Sequence, residues 1–294
     1  ESLDTVEALI SLHPNEPLLQ NISGVCYKAT GQLEMALQFF ERAIVIKPDF
    51  ADAHYNLGLT FQELNQLDAA VKSYEETIAI QTDYAKAHNN LGIVYKELGQ
   101  MDDAVKSYEQ ALKIQPDYAE AHNNLGNTLH ELEKLDDAIH SYEQAIAIKP
   151  DYLEVHNNLG NILNELGQLD EAIKCYEKAI AINPEHAESH NNLGNILNEL
   201  GQLDEAIRCY ENAIAFNPTY AEAHNNLGIA VNKIGQLDDA IKFYEKAIAI
   251  NPEYDEAYFN LGVTLNELGQ IDEALNCFNP VSYTHLTLPT IYSV

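Results

Sequence analysis

The stretch AEAHNNLGNTLHELEKLDDAIHSYEQAIAIKPDY, residues 119–152, decides the fold of this chain. Close copies of it follow one another without insertions, each starting 34 residues after the one before. A fixed period of this length is typical of one supersecondary unit stacked on itself, and not of a series of independent domains. The copies begin at Pro17, Ala51, Ala85, Ala119, Leu153, Ala187, Ala221 and Asp255.

Each copy of the repeat predicts two helices. In residues 119–152, the spacing of one helical face recurs at His122, Leu125, Gly126 and Leu129. Glu133, which is glycine in most sister copies, follows this helix at a place where a left-handed cap favours glycine. Asp136 and Asp137 then favour the start of a second helix, because negative side chains stabilise a helix N-terminus. Pro150 ends it, and its apolar face is Ala138, Ile139, Tyr142, Ala145, Ile146 and Ile148.

Small residues in both helices indicate close packing. Gly126, Ala138 and Ala145 recur in most copies, so we expect the two helices to approach closely while Tyr142 fills the remaining gap. Neither helix can bury its apolar face alone, and each therefore needs its partner and the next copy. The sequence predicts an all-α fold built from stacked helix-turn-helix units.

This pattern resembles the tetratricopeptide repeat family, whose signature matches His122, Leu125-Gly126, Leu129, Ala138, Tyr142, Ala145 and Pro150. Thr82 replaces the proline in one copy, and Ser23-Gly24 departs from the signature in the first. The resemblance implies a solenoid of antiparallel helix pairs in a right-handed superhelix that serves as a protein-protein interaction scaffold. We expect residues 1–16 to end a truncated unit, residues 17–254 to form seven units, and residues 255–279 to form a truncated eighth.

Asparagines keep the 34-residue phase on the first helix, opposite its apolar face, which in the resembled family lines the concave groove. The first column is Asn56, Asn90, Asn124, Asn158, Asn192, Asn226 and Asn260. The second column includes Asn89, Asn123, Asn157, Asn191 and Asn225, and the third is Asn127, Asn161 and Asn195.

A carboxamide carries both a donor and an acceptor, so such columns can pair with the N–H and C=O groups of an extended peptide. We predict that the columns bind polypeptide; the alternative is that the asparagines bond only to neighbouring repeats. The ladder resembles the groove of O-linked N-acetylglucosamine transferase, which grips its substrate polypeptide.

The formal net charge of −30, from 46 acidic and 16 basic residues, disfavours nucleic acid and anionic membrane as partners. It favours a neutral or basic polypeptide, although the acidity alternatively serves only solubility. A clamp for a terminal carboxylate is excluded, since the groove positions carry residues such as Asn123 and Glu131. Two other readings stay open: a substrate-recruiting arm of a larger glycosyltransferase or sulfotransferase, and end-to-end self-association.

No catalytic, cofactor or metal site is predicted. One histidine per copy lies on the apolar face, too far from the next for a shared ion, and is expected in the core: His54, His88, His122, His156, His190 and His224. Phosphate-binding and nucleophile motifs are absent from the sequence. We expect reduced, partly buried thiols, and hence a reducing, cytoplasmic compartment, for Cys26, Cys175, Cys209 and Cys277.

The repeat pattern stops at the end of the eighth copy. Pro280 falls in mid-helix, where we expect it to break the helix, and an uncharged, β-branched segment follows. The segment VSYTHLTLPT matches the in-frame translation of a sequencing-library adapter. We therefore interpret residues 280–294 as non-native, and as disordered or exposed.

Overall fold

The computed structural model describes residue 10 and residues 12–285, with the main chain alone for residues 279–285. Every element of regular secondary structure among these residues is an α-helix. The chain divides into two compact units, Glu1–Pro150 and Asp151–Val294. Most of the first sixteen residues and most of the segment 280–294 lie outside the described residues, and the interpretations of both segments stay predictions.

Unit 1 contains eight of the helices that the structure describes. They are α1 (Pro17–Ala29), α2 (Leu33–Ile46), α3 (Ala51–Glu63), α4 (Leu67–Ile80), α5 (Ala85–Glu97), α6 (Met101–Ile114), α7 (Ala119–Glu131) and α8 (Leu135–Ile148). Odd-numbered helices are the first helices of their repeats, and even-numbered helices are the second. Within this unit, each helix from α1 to α7 packs on the next one along the chain, as short connections between antiparallel neighbours require.

Unit 2 repeats this arrangement. Its described helices are α9 (Leu153–Glu165), α10 (Leu169–Ile182), α11 (Ala187–Glu199), α12 (Leu203–Phe216), α13 (Ala221–Lys233), α14 (Leu237–Ile250), α15 (Asp255–Glu267) and α16 (Ile271–His285). The predicted all-α fold of stacked helix pairs is confirmed.

The turn from a first to a second helix is closed by a left-handed residue. In the repeat that starts at Ala85, Gly99 has φ +74° and its N–H donates to Lys96 O at 2.9 Å, while Gln100 N–H donates to Tyr95 O at 2.8 Å. These two bonds satisfy carbonyls that the helix end leaves unpaired. The predicted glycine-type cap is confirmed at Glu133 as well, where a side chain that disfavours this region has φ +57°.

The core of each repeat depends on a glycine facing an aromatic ring, which is phenylalanine in the first and eighth repeats and tyrosine in the others. An ideal Cβ at Gly126 would lie 2.6 Å from Cε1 of Tyr142, whose side chain is 1% exposed. Ala138 and Ala145 are fully buried beside it. The expectation that small residues let the helices approach closely is confirmed.

The periodic histidine has a hydrogen-bonding role that the sequence reasoning missed. His122 Nε2 lies 3.0 Å from Pro116 O, and His190 Nε2 lies 2.9 Å from Pro184 O. Because the acceptor is a carbonyl, the Nε2 atom must carry the proton. The predicted burial is strongest in unit 2, where His190 is 7% exposed, and weaker in unit 1, where His122 is half-buried.

The prediction that Pro280 breaks the last helix is wrong, since α16 runs from Ile271 to His285. A proline within a helix removes one main-chain donor, and the helix either kinks or breaks there. Here the helical main chain continues for a further turn beyond it.

Candidate functional site

The first asparagine column is anchored to the preceding repeat in unit 1. Asn56 Nδ2 donates to Asn21 Oδ1 at 3.0 Å, and Asn124 Nδ2 donates to Asn89 Oδ1 at 3.1 Å. Both donors are half-buried, while Asn89 is 3% exposed. Each bond joins residues 35 apart, so a side chain of one first helix is fixed against the first helix before it.

Asn90 follows a variant of this scheme. Tyr55 takes the second-column place in the preceding repeat, and its hydroxyl accepts from Asn90 Nδ2 at 3.1 Å. Asn90 Oδ1 then accepts from Asn89 Nδ2 at 3.2 Å, so both ends of this carboxamide are used within the chain.

In unit 2 two of the anchors are doubled. Asn192 Nδ2 lies 3.1 Å from Asn161 Oδ1 and 3.4 Å from Asn157 Oδ1. Asn226 makes the same pair of bonds one repeat later, at 3.0 and 3.1 Å. Asn260 donates once, at 3.0 Å. Asn158, the remaining member of the column, is half-buried.

The outward carboxamide oxygens of the first column are left as acceptors. Among the described residues none donates a hydrogen bond to Oδ1 of Asn56, Asn124, Asn192, Asn226 or Asn260. Both N–H bonds of the doubly anchored side chains are directed at the chain itself. At Asn192 and Asn226 the carboxamide therefore has no N–H left to donate to a peptide C=O. Of the two expected bonds to a peptide, only acceptance from a main-chain N–H is left at these positions.

The second column lies deeper than the helical phase predicts. Asn157 is 2% exposed and Asn191 and Asn225 are 0% exposed, whereas Asn123 is half-buried. The expectation that these side chains face outward is wrong for these three and for Asn89, which is 3% exposed. The amides of the same three reach across instead: Asn191 Nδ2, for example, donates to Glu222 Oε1 at 2.9 Å.

The third column binds the core tyrosines. Tyr142 hydroxyl donates to Asn127 Oδ1 at 2.7 Å, and Tyr176 hydroxyl donates to Asn161 Oδ1 at 2.7 Å. Asn195 Oδ1 accepts in the same way from the Tyr210 hydroxyl at 2.9 Å. These tyrosine bonds lie within one repeat, but Asn161 and Asn195 also accept from Asn192 and Asn226 of the next repeat. The alternative, in which the asparagines bond to neighbouring repeats, therefore describes these two residues, the bridging members of the second column and the Nδ2 end of the first column.

Acidic side chains flank the first column with different partners in the two units. In unit 1, Glu63 pairs with Lys28 and Glu131 pairs with Lys96, the latter at 2.6 Å. In unit 2, the carboxylates of Glu199 and of Glu267, its counterpart in the eighth repeat, have no ion-pair partner among the described residues.

Tyrosines at the repeat junctions remain neutral. Burial raises the pKa of Tyr254 to about 12, with a further rise from Glu256 and Glu222. Burial likewise raises the pKa of Tyr220, which faces Glu222 and Glu188. These hydroxyls keep their protons at physiological pH and act as hydrogen-bonding groups.

A cavity opens on the surface of the first helices in unit 1. It has a volume of about 350 Å³, and its walls are Ile93, Lys96, Glu97, Tyr108, Asn124 and Asn127. Two other openings, of about 420 and 580 Å³, lie next to Pro14 and next to Cys209, away from the first column. Only the first of the three is continuous with the predicted binding residues.

The described part of the chain has neither a metal-binding cluster nor a membrane-spanning helix. No group of histidine, cysteine or carboxylate side chains there is arranged to hold a metal ion. Helices that combine the length and the apolar character needed to cross a bilayer do not occur among the described residues. The four cysteines are half-buried free thiols.

The repeated helix pairs and the fixed polar surface of their first helices define a helical repeat scaffold. Models described as "TPR repeat" and "Tetratricopeptide repeat" match the chain, the former at residues 24–65, 63–99, 160–197, 194–235 and 232–269 and the latter at residues 83–151 and 141–174. The chain belongs to the tetratricopeptide repeat family, and the family supports a role as a protein-protein interaction scaffold. No curated protein matched the chain.

Solved structures agree with this assignment. Two crystal structures of MamA are 25% and 27% identical, with TM-scores of 0.53 and 0.52; they align with 56% and 57% of this chain and with 97% and 92% of their own. The crystal structure of YrrB, described as a TPR protein with an unusual peptide-binding site, is 23% identical with a TM-score of 0.54. It aligns with 64% of this chain and 96% of its own, and this likeness concerns the fold.

Proposed function

We propose that the first asparagine column binds an extended polypeptide, through its carboxamide oxygens and the main-chain N–H groups of the ligand. The observation that carries the proposal is the anchoring of Asn56, Asn124, Asn192, Asn226 and Asn260 by their Nδ2 atoms, which leaves each Oδ1 without a donor among the described residues. A side chain held at one end loses little rotamer entropy when it binds a ligand at the other.

The spacing of the column suits an extended chain. Packed helices lie about 10 Å apart, and an extended peptide rises about 3.3 Å per residue. Within one unit, a peptide that follows the column would therefore present roughly every third main-chain N–H to a carboxamide oxygen. Recognition of main-chain groups tolerates many sequences, so side-chain selectivity must come from the surroundings of the column.

Charge favours a neutral or basic ligand. The column offers acceptors, and Glu199 lies beside it in unit 2 without an ion-pair partner among the described residues. A chain with a net charge of −30 also attracts cationic segments over longer distances. Binding should therefore weaken as salt screens these charges.

The test uses a library of fluorescein-labelled 12-residue peptides of alanine, serine, glycine and lysine, with fluorescence polarisation as the readout. The paired substitution Asn192→Ala and Asn226→Ala removes two acceptors. At about 1 kcal/mol for each hydrogen bond, affinity should fall about 10- to 30-fold. Circular dichroism at 222 nm checks that helicity is retained.

The matched control lies in the ligand, because the substitutions also remove bonds between repeats. Peptides with the same side chains but with N-methyl groups at every third residue lack the N–H groups that the column would accept. We expect the affinity of the unsubstituted protein for these methylated peptides to be no higher than the affinity of the double variant for the unmethylated peptides. Equal affinity for methylated and unmethylated peptides would overturn the proposal.

A further inference from the structure

The cavity of about 350 Å³ in unit 1 lies where one repeat lacks a hydrogen bond that its neighbours make. In the next repeat Tyr142 hydroxyl donates to the carboxamide of Asn127 at 2.7 Å, and in the preceding one Tyr74 hydroxyl donates to that of Gln62 at 3.0 Å. In these two repeats the buried phenol thus has an amide oxygen as its acceptor.

Tyr108 has no such amide partner. The position that carries Asn127 in the next repeat is Ile93 here, so no carboxamide of its own repeat reaches the phenol. Its hydroxyl instead lies beside the Thr128 side chain, whose Oγ1 donates to Asn124 O at 2.9 Å and keeps lone pairs that can accept from the phenol. The ring is 1% exposed, so it is fixed in the core while it borders the cavity.

The walls of the cavity fit a ligand carboxamide. Tyr108 supplies a hydroxyl, Asn124 supplies an Oδ1 atom that no described residue donates to, and Ile93 offers an apolar wall for a methylene stem. Lys96 also lines the cavity, and its charge is paired with Glu131 at 2.6 Å. A carboxamide contributes an acceptor and a donor at once, which matches the two polar groups.

We propose that this cavity is a side-chain subsite of the peptide-binding surface and that it takes a glutamine or asparagine of the bound polypeptide. The ligand carboxamide occupies the place that the chain's own Asn127 fills in the next repeat. This inference rests on the proposed function, and it adds a side-chain preference to a surface that otherwise contacts the main chain.

The experiment scans glutamine against leucine, glutamate and lysine at each position of the fluorescein-labelled 12-residue peptides. We expect one position at which glutamine binds about fivefold more tightly than leucine, the value of one net hydrogen bond. Asparagine at that position should retain most of the preference, and glutamate should lose it because Glu97 lines the cavity.

Three variants test the assignment to the cavity. Ile93→Asn should rebuild the bond that Asn127 makes with Tyr142, fill the subsite and abolish the preference without loss of thermal stability. Tyr108→Phe should abolish it by removal of the hydroxyl. Ile93→Val is the matched control, since it keeps the cavity apolar and open, and the preference should persist.

The outcomes separate the two proposals. If the parent binds peptides and N-methylation weakens them, but no position prefers glutamine or the preference survives in Ile93→Asn, the subsite is refuted and main-chain binding stands. If no peptide binds, or if N-methylation has no effect, the proposed function fails and the subsite fails with it.

Discussion

The close contact between Gly126 and Tyr142 predicts that Gly126→Ala destabilises unit 1, although alanine is the better helix former. An added Cβ would lie 2.6, 2.7 and 3.1 Å from Cε1, Cδ1 and Cζ of Tyr142. Favourable carbon–carbon contacts are about 3.5–4.0 Å, so either the ring or the helix would have to move by close to 1 Å. The ring cannot move freely, because it is 1% exposed and its hydroxyl is bonded to Asn127.

Two opposing effects set the size of this change. Overpacking of a filled core costs about 1–3 kcal/mol, and the held ring places this site in the upper part of that range. Replacement of glycine by alanine within a helix returns about 1 kcal/mol. We therefore expect a net loss of about 1–2 kcal/mol in the free energy of unfolding.

Urea unfolding followed by circular dichroism at 222 nm measures this loss, and a double-mutant cycle assigns its cause. With Tyr142→Leu as the background the ring is gone, so Gly126→Ala should become neutral or stabilising, with a coupling energy of about 1–3 kcal/mol. If Gly126→Ala stabilises the parent protein, or if its cost is the same in both backgrounds, the packing argument is refuted.

Three further predictions concern the cap, the thiols and the periodic histidine. Glu133→Gly should stabilise the fold by about 1 kcal/mol in urea unfolding, since φ there is +57° and glycine carries no penalty in that region; a loss of stability would contradict this. Burial raises the pKa of both Cys175 and Cys209 to about 11, so at pH 8 iodoacetamide should modify them about 100-fold more slowly in the folded than in the unfolded protein, as measured by mass spectrometry, and similar rates would refute it. Burial lowers the pKa of His224, so the unfolded chain binds the proton more readily and stability should fall as the pH drops below about 6.5. His224→Gln should lessen that fall, since Gln20 makes the equivalent bond to a proline carbonyl at 2.8 Å, and an unchanged pH dependence would refute the assignment.

Features that repeat within one 34-residue copy were predictable from the sequence. The left-handed place of Glu133 follows from the glycines at the same position in sister copies, and its φ of +57° agrees. The Gly126 and Tyr142 contact follows from the recurrence of a small and a large residue in the same phase. Such features depend on local main-chain geometry and on the packing of one helix pair. The residues that determine them recur in most copies of the repeat, so the sequence contains the same signal many times.

Features that depend on the neighbouring repeat were predicted less well. A helical wheel places both Asn191 and Asn192 opposite the apolar face, yet Asn191 is 0% exposed and only Asn192 reaches the surface. Adjacent residues differ by 100° around a helix, and the angle at which the next repeat packs decides which of them is covered. That angle is not encoded in the pattern of a single copy.

The histidine bond illustrates a signal that the sequence did contain. His122 and Pro116 are six residues apart, and the same spacing recurs at His190 and Pro184. Burial in the core accounts for the recurring histidine, and the end of the second helix accounts for the recurring proline. Neither argument by itself connects the two residues. Their constant separation would have identified the two as hydrogen-bond partners.

The anchoring of the first column has a consequence for how such a chain can change in length. Asn226 donates to Asn191 of the preceding repeat, and Asn260 donates to Asn225 of the repeat before it. Every such repeat therefore brings an acceptor for its successor and a donor for its predecessor. A duplicated block of 34 residues inherits both halves of the bond, so it can join the series at either side without a compensating substitution. In such a chain, gene duplication and deletion alter the number of asparagines in the first column while each junction keeps its hydrogen bonds.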